Sequence, residues 1–423
     1  MKLEQAIAAQ KPLVQKLLDG VAAIGADPPG ITRDAYGRGE NEAHDLIRKA
    51  GEALGMRASI DAGANLSLCL AAENPEAPPI VIGSHLDSIV QGGNFDGAAG
   101  VIAGIAAVAA LRAAGITPRR DVEVLALRCE EAVWFGLGLI GSRCMLARLP
   151  QGALELRHAR TGKTLAESIA LAGGDPEQLR QGKPLRDPAG IGAYLEIHIE
   201  QAPQLIEAGM PVAICLANPG NLRHPFIRIA GEDAHTGLPH RFRRDAALAG
   251  ADFSLCLEKL WLEEEAAGRP MAVTIGRFHT PAERHSLTAV SGEFELSLDL
   301  RAYDAAHLVA LEAKLQAIVS EVAARRRVTI TLGERSSAAP GLMDPTLMAG
   351  FAEAATAGGI PVARLHSPGT HDANNFAAVG VKTGMLLVRN QHGSHNPHEA
   401  METDDLMAAI AMMARFLAKD TGG

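Results

Sequence analysis

The sequence predicts an α/β protein, in which a larger domain with a mostly parallel β-sheet is interrupted by a smaller α+β domain. The chain has 423 residues, enough for two or three domains at about 150 residues each. Its first and last parts alternate short apolar runs with helical segments, which is the pattern of βαβ units. Its middle part follows a different order of strands and helices.

Residues 1–220 and 335–423 together are predicted to form the larger domain. An early helix is indicated by Val14, Leu17, Leu18 and Val21, which share one face at helical spacing. Later runs are apolar throughout, which is typical of strands buried on both faces. The predicted elements are strands at 66–70, 79–83 and 121–127, helices at 97–114 and near 347–357, and strands at 362–365 and 383–388.

Residues 221–334 are predicted to form the inserted domain, made of two βαβ-like halves. A segment of about 110 residues is large enough to fold as a domain. Asp304 is expected to cap the second helix, whose apolar residues recur on one face. The predicted elements are strand 226–229, helix 245–265, strands 271–278 and 293–300, helix 304–325 and strand 328–332.

Composition and charge narrow the class of protein. A 47% hydrophobic and 21% charged chain is typical of a globular protein, and a net charge of −9 argues against a nucleic-acid partner. The longest apolar stretch, 97–111, is too short to span a membrane. The N-terminus lacks a signal-peptide pattern, and the five cysteines are scattered without a CxxC motif. We therefore expect a cytoplasmic protein with neither a nucleic-acid nor a membrane partner.

Histidines and carboxylates cluster where predicted strands end. His85 and Asp87 follow one strand and would project to the same side of an extended chain. Asp96 precedes the helix at 97–114, and Glu130 with Glu131 follows the next strand. His198 and His395 lie in later segments.

Each of these residues also has an ordinary structural interpretation. A single histidine at a strand end is more often structural than a ligand, and paired glutamates are usually solvated. Their joint occurrence near the carboxyl ends of strands favours a site, because α/β sheets bind ligands there. Histidine and carboxylate ligands without cysteine suit zinc, manganese, cobalt or nickel at a catalytic site rather than a closed structural zinc site.

Five motifs, in this order, resemble the M20 metallopeptidase clan. The amino-acid sequences of the segments at 83–88, 92–97, 135–143 and 393–399 are similar to those of its amidase/hydantoinase–carbamoylase branch. Members of that branch include N-carbamoyl-L-amino acid hydrolases, β-ureidopropionases and allantoate amidohydrolases. The five motifs are His85–Asp87, Asp96–Gly97, Glu130–Glu131, His198–Gln201 and Gly393–His395.

The resemblance implies a site for two divalent metal ions per subunit. His85, Asp96 and His198 would hold one ion, and Asp96, Glu131 and His395 the other, so that Asp96 bridges. Asp87 would orient His85. Glu130 matches the general base that takes a proton from a metal-bridged water.

The resemblance also implies residues that contact the substrate. Arg301 matches the arginine for a substrate carboxylate, a bidentate task suited to guanidinium. His235 matches a histidine of the inserted domain that stabilises the oxyanion. Substrate-side positions of the branch are matched by Gln201, Asn221, Thr288, Gly369 and His371. Thr288 stands where the branch has asparagine, and Trp134 adds bulk after the paired glutamates.

The implied reaction is hydrolysis of the C–N bond of an N-carbamoyl (ureido) amino acid or a related ureido acid. Its products would be an amino acid, ammonia and carbon dioxide. The inserted domain would act as a lid and join a homodimer. An N-acyl-amino acid deacylase or a dipeptidase of the same clan stays an alternative, since Trp134 and Thr288 could admit a bulky acyl group. A metal-dependent binding protein without turnover is disfavoured, because a pure binder needs no base such as Glu130.

The segment Gly136–Gly141 fits the GxGxxG pattern of dinucleotide-binding loops. About eight residues separate it from the preceding strand, and no second strand follows at the expected distance. We interpret it as a glycine-rich loop beside the metal site.

Overall fold

The computed structural model describes residues 1–72 and 77–419. The chain divides into two compact units, and each is described by itself. The first unit contains Met1–Asn218 and the chain from Leu342 onward, and the second unit contains Pro219–Gly341.

The helices are α1 Leu3–Ala8, α2 Lys11–Ile24, α3 Arg38–Ala53, α4 Ala98–Ala114, α5 Ile140–Met145, α6 Leu165–Leu171, α7 Pro176–Arg180, α8 Gln204–Ala208, α9 Ala246–Ala266, α10 Ala305–Arg326, α11 Pro345–Gly358, α12 Ala373–Ala378 and α13 Thr403–Lys419. The strands are β1 Ala26–Asp27, β2 Gly30–Ile31, β3 Arg57–Ile60, β4 Leu66–Leu70, β5 Ile80–His85, β6 Val122–Leu127, β7 Ala193–Ile199, β8 Val212–Cys215, β9 Ala217–Asn218, β10 Gly220–Ala230, β11 Ala234–His235, β12 Met271–Thr274, β13 Phe278–His279, β14 Ala289–Val290, β15 Glu293–Ala302, β16 Thr329–Thr331, β17 Ser336–Ala338, β18 Gly341–Leu342, β19 Val362–Leu365 and β20 Thr383–Val388.

The first unit is built on an eight-stranded sheet in the order β19-β8-β20-β7-β5-β6-β4-β3. Its centre is parallel, because β20 pairs with β7, β7 with β5, and β5 with β6 in parallel register. The pairs β3–β4, β4–β6 and β8–β20 are antiparallel. Strands β5, β7 and β20 are buried along their whole length, as expected for apolar runs covered on both faces. The prediction of a mixed α/β fold with a large, mostly parallel sheet is confirmed.

Helix α4 lies close against this sheet because its sequence is rich in alanine and glycine. Every residue from Ala98 to Leu111 is buried. A Cβ on Gly100 would lie 2.1 Å from the carbonyl oxygen of Ile197 in β7, so only glycine fits there. The helix therefore begins directly beside the carboxyl ends of the central strands, two residues after Asp96.

The second unit has the order β-α-β-β-α-β, with α9 and α10 as its helices. Strands β12, β15, β10 and β16 are neighbours in that order, and their pairing is antiparallel. Each helix thus connects two strands that are separated by a third, which is the split βαβ arrangement. Leu296, Leu298 and Leu300 alternate inward along β15 and pack in the core of the unit.

The predicted strand at 271–278 is interrupted in the structure. Thr274 pairs with Asp299 and Phe278 pairs with Leu296, so one strand has an extra residue between these pairs. The extra residue is a β-bulge, and it divides the run into β12 and β13.

Within the described residues, no helix is long and apolar enough to cross a membrane. The five cysteines are free thiols.

Candidate metal centre and active site

The predicted ligands come together at the carboxyl ends of the central strands. His85 is the last residue of β5, and His198 is the penultimate residue of β7. Glu130 and Glu131 follow the end of β6 at Leu127. Because these strands are parallel, their carboxyl ends meet at one edge of the sheet, where such sheets bind ligands.

The first group of ligand atoms surrounds Oδ1 of Asp96. Nε2 of His198 lies 3.1 Å from this oxygen, and Nε2 of His85 lies 3.5 Å from it. Both Nε2 atoms are buried, and neither has a hydrogen-bond partner among the described residues. Buried polar atoms are normally satisfied, so this pair of nitrogens fits a cation bound between them and Asp96.

The second group surrounds the other oxygen of Asp96. Nε2 of His395 lies 3.5 Å from Oδ2 of Asp96 and 3.3 Å from Oε1 of Glu131. In both groups, one ligand atom from each of three residues lies within 4.8 Å of the others. Asp96 therefore presents one oxygen to each group, which fits a carboxylate that bridges two cations.

Contacts on the far side of each imidazole leave Nε2 as the ligand atom. Nδ1 of His85 lies 3.2 Å from Oδ1 of Asp87, and Nδ1 of His198 lies 2.9 Å from the carbonyl oxygen of Ile199. Such contacts orient metal-binding histidines and fix their tautomer. Strand β5 ends at His85, so Asp87 lies in the loop that follows. The fold of this loop, and not the alternation of side chains along a strand, brings Asp87 to the imidazole ring.

Burial and charge raise the pKa values of two groups in the second ligand group, Glu131 and His395. Burial raises the pKa of Glu131, and the nearby negative charge of Asp96 raises it further. The hydrogen bond to Glu131 raises the pKa of His395 to about 9. Carboxylates and imidazoles at this distance share protons, and a divalent cation would displace those protons on binding.

Glu130 lies beside the cluster and belongs to neither group of ligands. Its Oε2 is 3.9 Å from Nε2 of His85, and its side chain is 12% exposed. Burial raises the pKa of this carboxyl well above its ordinary value. A carboxyl with a raised pKa suits proton transfer near neutral pH.

Three predicted substrate-side residues of the first unit adjoin the cluster. Nε2 of Gln201 donates to Oδ2 of Asp96 at 2.8 Å. A Cβ on Gly369 would lie 2.6 Å from Oε1 of Gln201 and 3.3 Å from Nε2 of His371, so a larger residue there would displace the side chain of Gln201. The ring of His371 lies 4.2 Å from that of His198, centroid to centroid.

The other four predicted residues belong to the second unit, where they form two pairs. Asn221 and Arg301 are opposite each other in the β10–β15 ladder, and Nη2 of Arg301 contacts Asp299 at 3.1 Å. His235 lies in β11, which pairs with β14, and the amide of Thr236 donates to the carbonyl oxygen of Thr288. His235 and Thr288 are both exposed.

The family of this chain follows from comparison with known proteins. A family model described as peptidase family M20/M25/M40 matches residues 81–419. The chain belongs to this family. An N-carbamoyl-L-amino acid amidohydrolase of Geobacillus stearothermophilus is 34% identical over 396 residues, which cover 93% of this chain and 94% of that protein.

Other relatives of this M20 chain point to the same branch. A ureidoglycolate hydrolase of Arabidopsis thaliana is 26% identical and covers 99% of this chain and 88% of its own. A solved hydantoinase/carbamoylase family amidase from Burkholderia ambifaria matches with a TM-score of 0.84 at 28% identity, over 97% of this chain and 98% of that one. The predicted clan and branch are confirmed. The prediction that the chain is a hydrolase acting on carbon–nitrogen bonds other than peptide bonds is also confirmed.

The interpretation of Trp134 as a residue that adds bulk to the substrate site is wrong. Trp134 is 1% exposed and stacks on His158 at a centroid distance of 5.2 Å. Its indole N–H donates to the carbonyl oxygen of Ser88 at 2.9 Å. The side chain therefore supports the loop after β5 from within the core of the first unit.

Two residues at the site were missed by sequence reasoning. Glu399 accepts hydrogen bonds from the amides of Phe95 and Asp96, at 2.8 and 3.2 Å, and from the hydroxyl of Ser394. It therefore joins the loop of the bridging aspartate to the loop of His395. Its position at the end of the 393–399 motif was the available signal.

Arg33 is the second missed residue, and it is fully buried. It donates through Nε to the carbonyl oxygen of Leu86 at 2.7 Å and through Nη1 to Oδ1 of Asn94 at 3.0 Å. The guanidinium connects the loop after His85 to the loop before Asp96. A lone arginine far from the motifs gave no sequence signal.

Proposed function

We propose that this M20 chain hydrolyses the C–N bond of an N-carbamoyl (ureido) amino acid or a related ureido acid, and releases an amino acid, ammonia and carbon dioxide. The observation that carries the proposal is the pair of ligand groups that share Asp96, with the buried carboxyl of Glu130 beside them. The names of the Geobacillus and Arabidopsis relatives, a carbamoyl-amino acid amidohydrolase and a ureidoglycolate hydrolase, support a ureido substrate.

The residues that would hold two divalent cations are His85, Asp96 and His198 for one ion, and Asp96, Glu131 and His395 for the other. Zinc, manganese, cobalt and nickel all suit this donor set. When bound, such ions polarise a carbonyl group and lower the pKa of water.

Glu130 would move the proton. It would accept the proton of the attacking water and return it to the departing nitrogen, first as a general base and then as a general acid. Asp87 would orient His85, and Gln201 would position Asp96 through the 2.8 Å hydrogen bond. The C–O bond would form first, giving a tetrahedral intermediate, and the C–N bond would then break as the proton reaches the leaving amine of the amino acid. The carbamic acid that remains would decompose to ammonia and carbon dioxide.

The second unit would supply the remaining substrate contacts. Arg301 would bind the substrate carboxylate, and His235 would stabilise the oxyanion of the tetrahedral intermediate. Asn221 and Thr288 would contact the substrate from the same unit, and Gly369 and His371 from the first.

We also propose that the second unit is the inserted lid and dimerisation domain predicted over 221–334. Helix α9 carries Leu248, Leu255 and Leu262 seven residues apart on one face, and all three are exposed. A second copy of the chain would cover this stripe in a homodimer. The cytoplasmic location remains a prediction.

The test is hydrolysis by protein reconstituted with manganese, cobalt, nickel or zinc in turn. The panel holds N-carbamoyl amino acids, allantoate, N-acetyl and N-formyl amino acids, and dipeptides. We expect ammonia release from ureido substrates. Cleavage of acyl or peptide substrates alone would instead identify the chain as a deacylase or dipeptidase of the same clan, and bound metal without any hydrolysis would favour a binding protein.

Glu130→Gln is the matched variant for the role of the base. It preserves the shape of the side chain and removes its proton affinity, so we expect hydrolysis to be lost while metal content is unchanged. A fully active variant would remove Glu130 from the mechanism.

A further inference from the structure

The turn that carries Glu130 and Glu131 is held at its amides by side chains. Strand β6 ends at Leu127, and the next four backbone N–H groups all donate to side-chain oxygens. The acceptors for residues 128, 129, 130 and 131 are Asn65 Oδ1 at 3.0 Å, Glu40 Oε1 at 2.9 Å, Asp87 Oδ1 at 3.0 Å and Asp87 Oδ2 at 3.1 Å.

The glycine-rich segment Gly136–Gly141 holds the same turn at its carbonyl groups. The amides of Leu139, Ile140 and Gly141 donate to the carbonyl oxygens of residues 130, 129 and 128, at 2.8, 2.9 and 2.8 Å. Both edges of the turn are thus bonded, although neither partner is a strand of the sheet.

Two glycines of this segment are required by the close approach of the two backbones. A Cβ on Gly138 would lie 2.6 Å from the carbonyl oxygen of Glu130. A Cβ on Gly141 would lie 2.5 Å from the amide nitrogen of Arg128. Cys129, between these contacts, has a φ of 50°, a left-handed conformation that is uncommon for a residue with a side chain.

Glu40 anchors the turn from helix α3. Its Oε2 accepts from Nη1 of Arg128 at 2.9 Å, while its Oε1 accepts the amide of Cys129. Both charged side chains are buried. Arg128 also donates through Nη1 to Oδ1 of Asn41 and through Nε to the carbonyl oxygen of Ala64, so these bonds hold the guanidinium against Glu40.

We infer that Gly136–Gly141, Glu40, Asn65 and Asp87 form a cradle that positions Glu130 for proton transfer. This inference rests on the proposed role of Glu130 as the base. Gly138 and Gly141 of the GxGxxG pattern serve this packing, and the amides of residues 139, 140 and 141 bond protein carbonyls and are not directed to a phosphate. Gly138, Gly141 and Glu40 are therefore positioning residues.

The first test is Gly138→Ala, with Gly190→Ala as the matched control. A Cβ on Gly190 meets nothing within 4 Å. A misplacement of about 1 Å costs roughly 100-fold in rate, so we expect kcat to fall by that order in Gly138→Ala while KM stays within about twofold. A kcat equal to that of the wild type in Gly138→Ala, or an equal loss of kcat in Gly190→Ala, would contradict the proposed cradle.

Amide hydrogen exchange tests the cradle without using activity. In the metal-reconstituted protein, Glu40→Ala should speed exchange at Cys129 roughly fivefold to tenfold, because this amide loses its acceptor. Glu40→Gln retains an acceptor oxygen and should restore most of the protection. Glu42→Ala, an exposed residue of the same helix, is the control.

The two hypotheses fail in different ways. If the wild-type protein hydrolyses nothing on the panel, the proposed function fails, and exchange at residues 128–131 still decides whether the cradle exists. If ureido substrates are hydrolysed but Glu40→Ala leaves exchange and kcat unchanged, the cradle fails and the function stands.

Discussion

Oδ1 of Asp87 contacts Nδ1 of His85 at 3.2 Å, so one carboxylate orients a candidate metal ligand. Oδ1 also accepts the amide of Glu130, and Oδ2 of the same carboxylate accepts the amide of Glu131. The orientation of a ligand and the position of the base therefore depend on a single buried side chain.

We predict that Asp87→Asn lowers both metal content and turnover. Asparagine offers one acceptor oxygen and turns an NH₂ group toward the other amide, so one of the two amide contacts is lost. Removal of a residue that orients a metal ligand typically costs 10–100-fold in affinity or activity, and we expect a loss in that range. Metal analysis and kcat measure it, with the exposed Asp45→Asn as control; full metal occupancy and full activity would contradict the prediction.

Trp134→Phe should destabilise the protein without changing its substrate preference. The substitution removes the indole N–H that donates to Ser88, and it shrinks a side chain in a packed cluster. A lost hydrogen bond plus reduced packing predicts a decrease of about 1–3 kcal/mol in the free energy of unfolding. Urea denaturation measures the decrease, and the ratio of kcat/KM between a small and a bulky ureido substrate should not move.

The other tryptophan provides the control for that experiment. Nε1 of Trp261 donates to Oε1 of Glu265 at 2.9 Å on the surface of α9, so Trp261→Phe should change stability much less. If the ratio of kcat/KM between the two substrates changed in Trp134→Phe but not in Trp261→Phe, Trp134 would have to be assigned to the substrate site after all.

Glu264 should stabilise the second unit in a pH-dependent way. The buried carboxylate contacts Arg269, Lys314 and His307, and Arg269 makes the largest contribution to lowering its pKa to about 2. A lowered folded-state pKa means that the stabilisation is fully present above the unfolded value of about 4.3 and is lost as the pH falls toward 2.

The comparison of wild type with Glu264→Gln measures this dependence. We expect the difference in unfolding free energy to be constant above about pH 5 and to shrink as the pH falls toward 3. Glu263→Gln, next to it on the exposed face of α9, should differ little from wild type at every pH. A difference that does not change with pH would show that packing, and not charge, makes Glu264 important.

Patterns of apolar residues were sufficient to predict most of the fold. The predicted helix at 304–325 is observed as Ala305–Arg326, and Asp304 caps it by accepting from the amide of His307 at 2.8 Å. The apolar runs at 79–83 and 383–388 became the central buried strands β5 and β20 for the same reason, since burial on both faces is visible in local sequence. The central strand β7 was not predicted. The bulge after Thr274 was not predictable, because it depends on the register of a partner strand.

The residues of the candidate site likewise fall into those that the sequence predicted and those that it did not. Several predicted ligands come together because they lie at or after the ends of strands that the pattern reveals, as His85 and Glu131 do. His198 lies within β7, which was not predicted as a strand. Glu40 and Arg33 could not be found, because their roles depend on contacts with residues more than fifty positions away. Trp134 was misinterpreted for the same reason, since its sequence position beside the paired glutamates does not show that it points into the core.

The exposed stripe on α9 gives a test of assembly. Leu255 is 63% exposed at the centre of the stripe, and burial of such a side chain contributes about 1.5–3 kcal/mol. If a second copy covers the stripe, Leu255→Glu places an unpaired charge in the interface and should shift the protein to monomers in light scattering at micromolar concentration. Leu171→Glu, an equally exposed leucine of the first unit, should leave the dimer intact. An unchanged dimer in Leu255→Glu would exclude α9 from the interface, and a monomeric wild type would exclude the dimer itself.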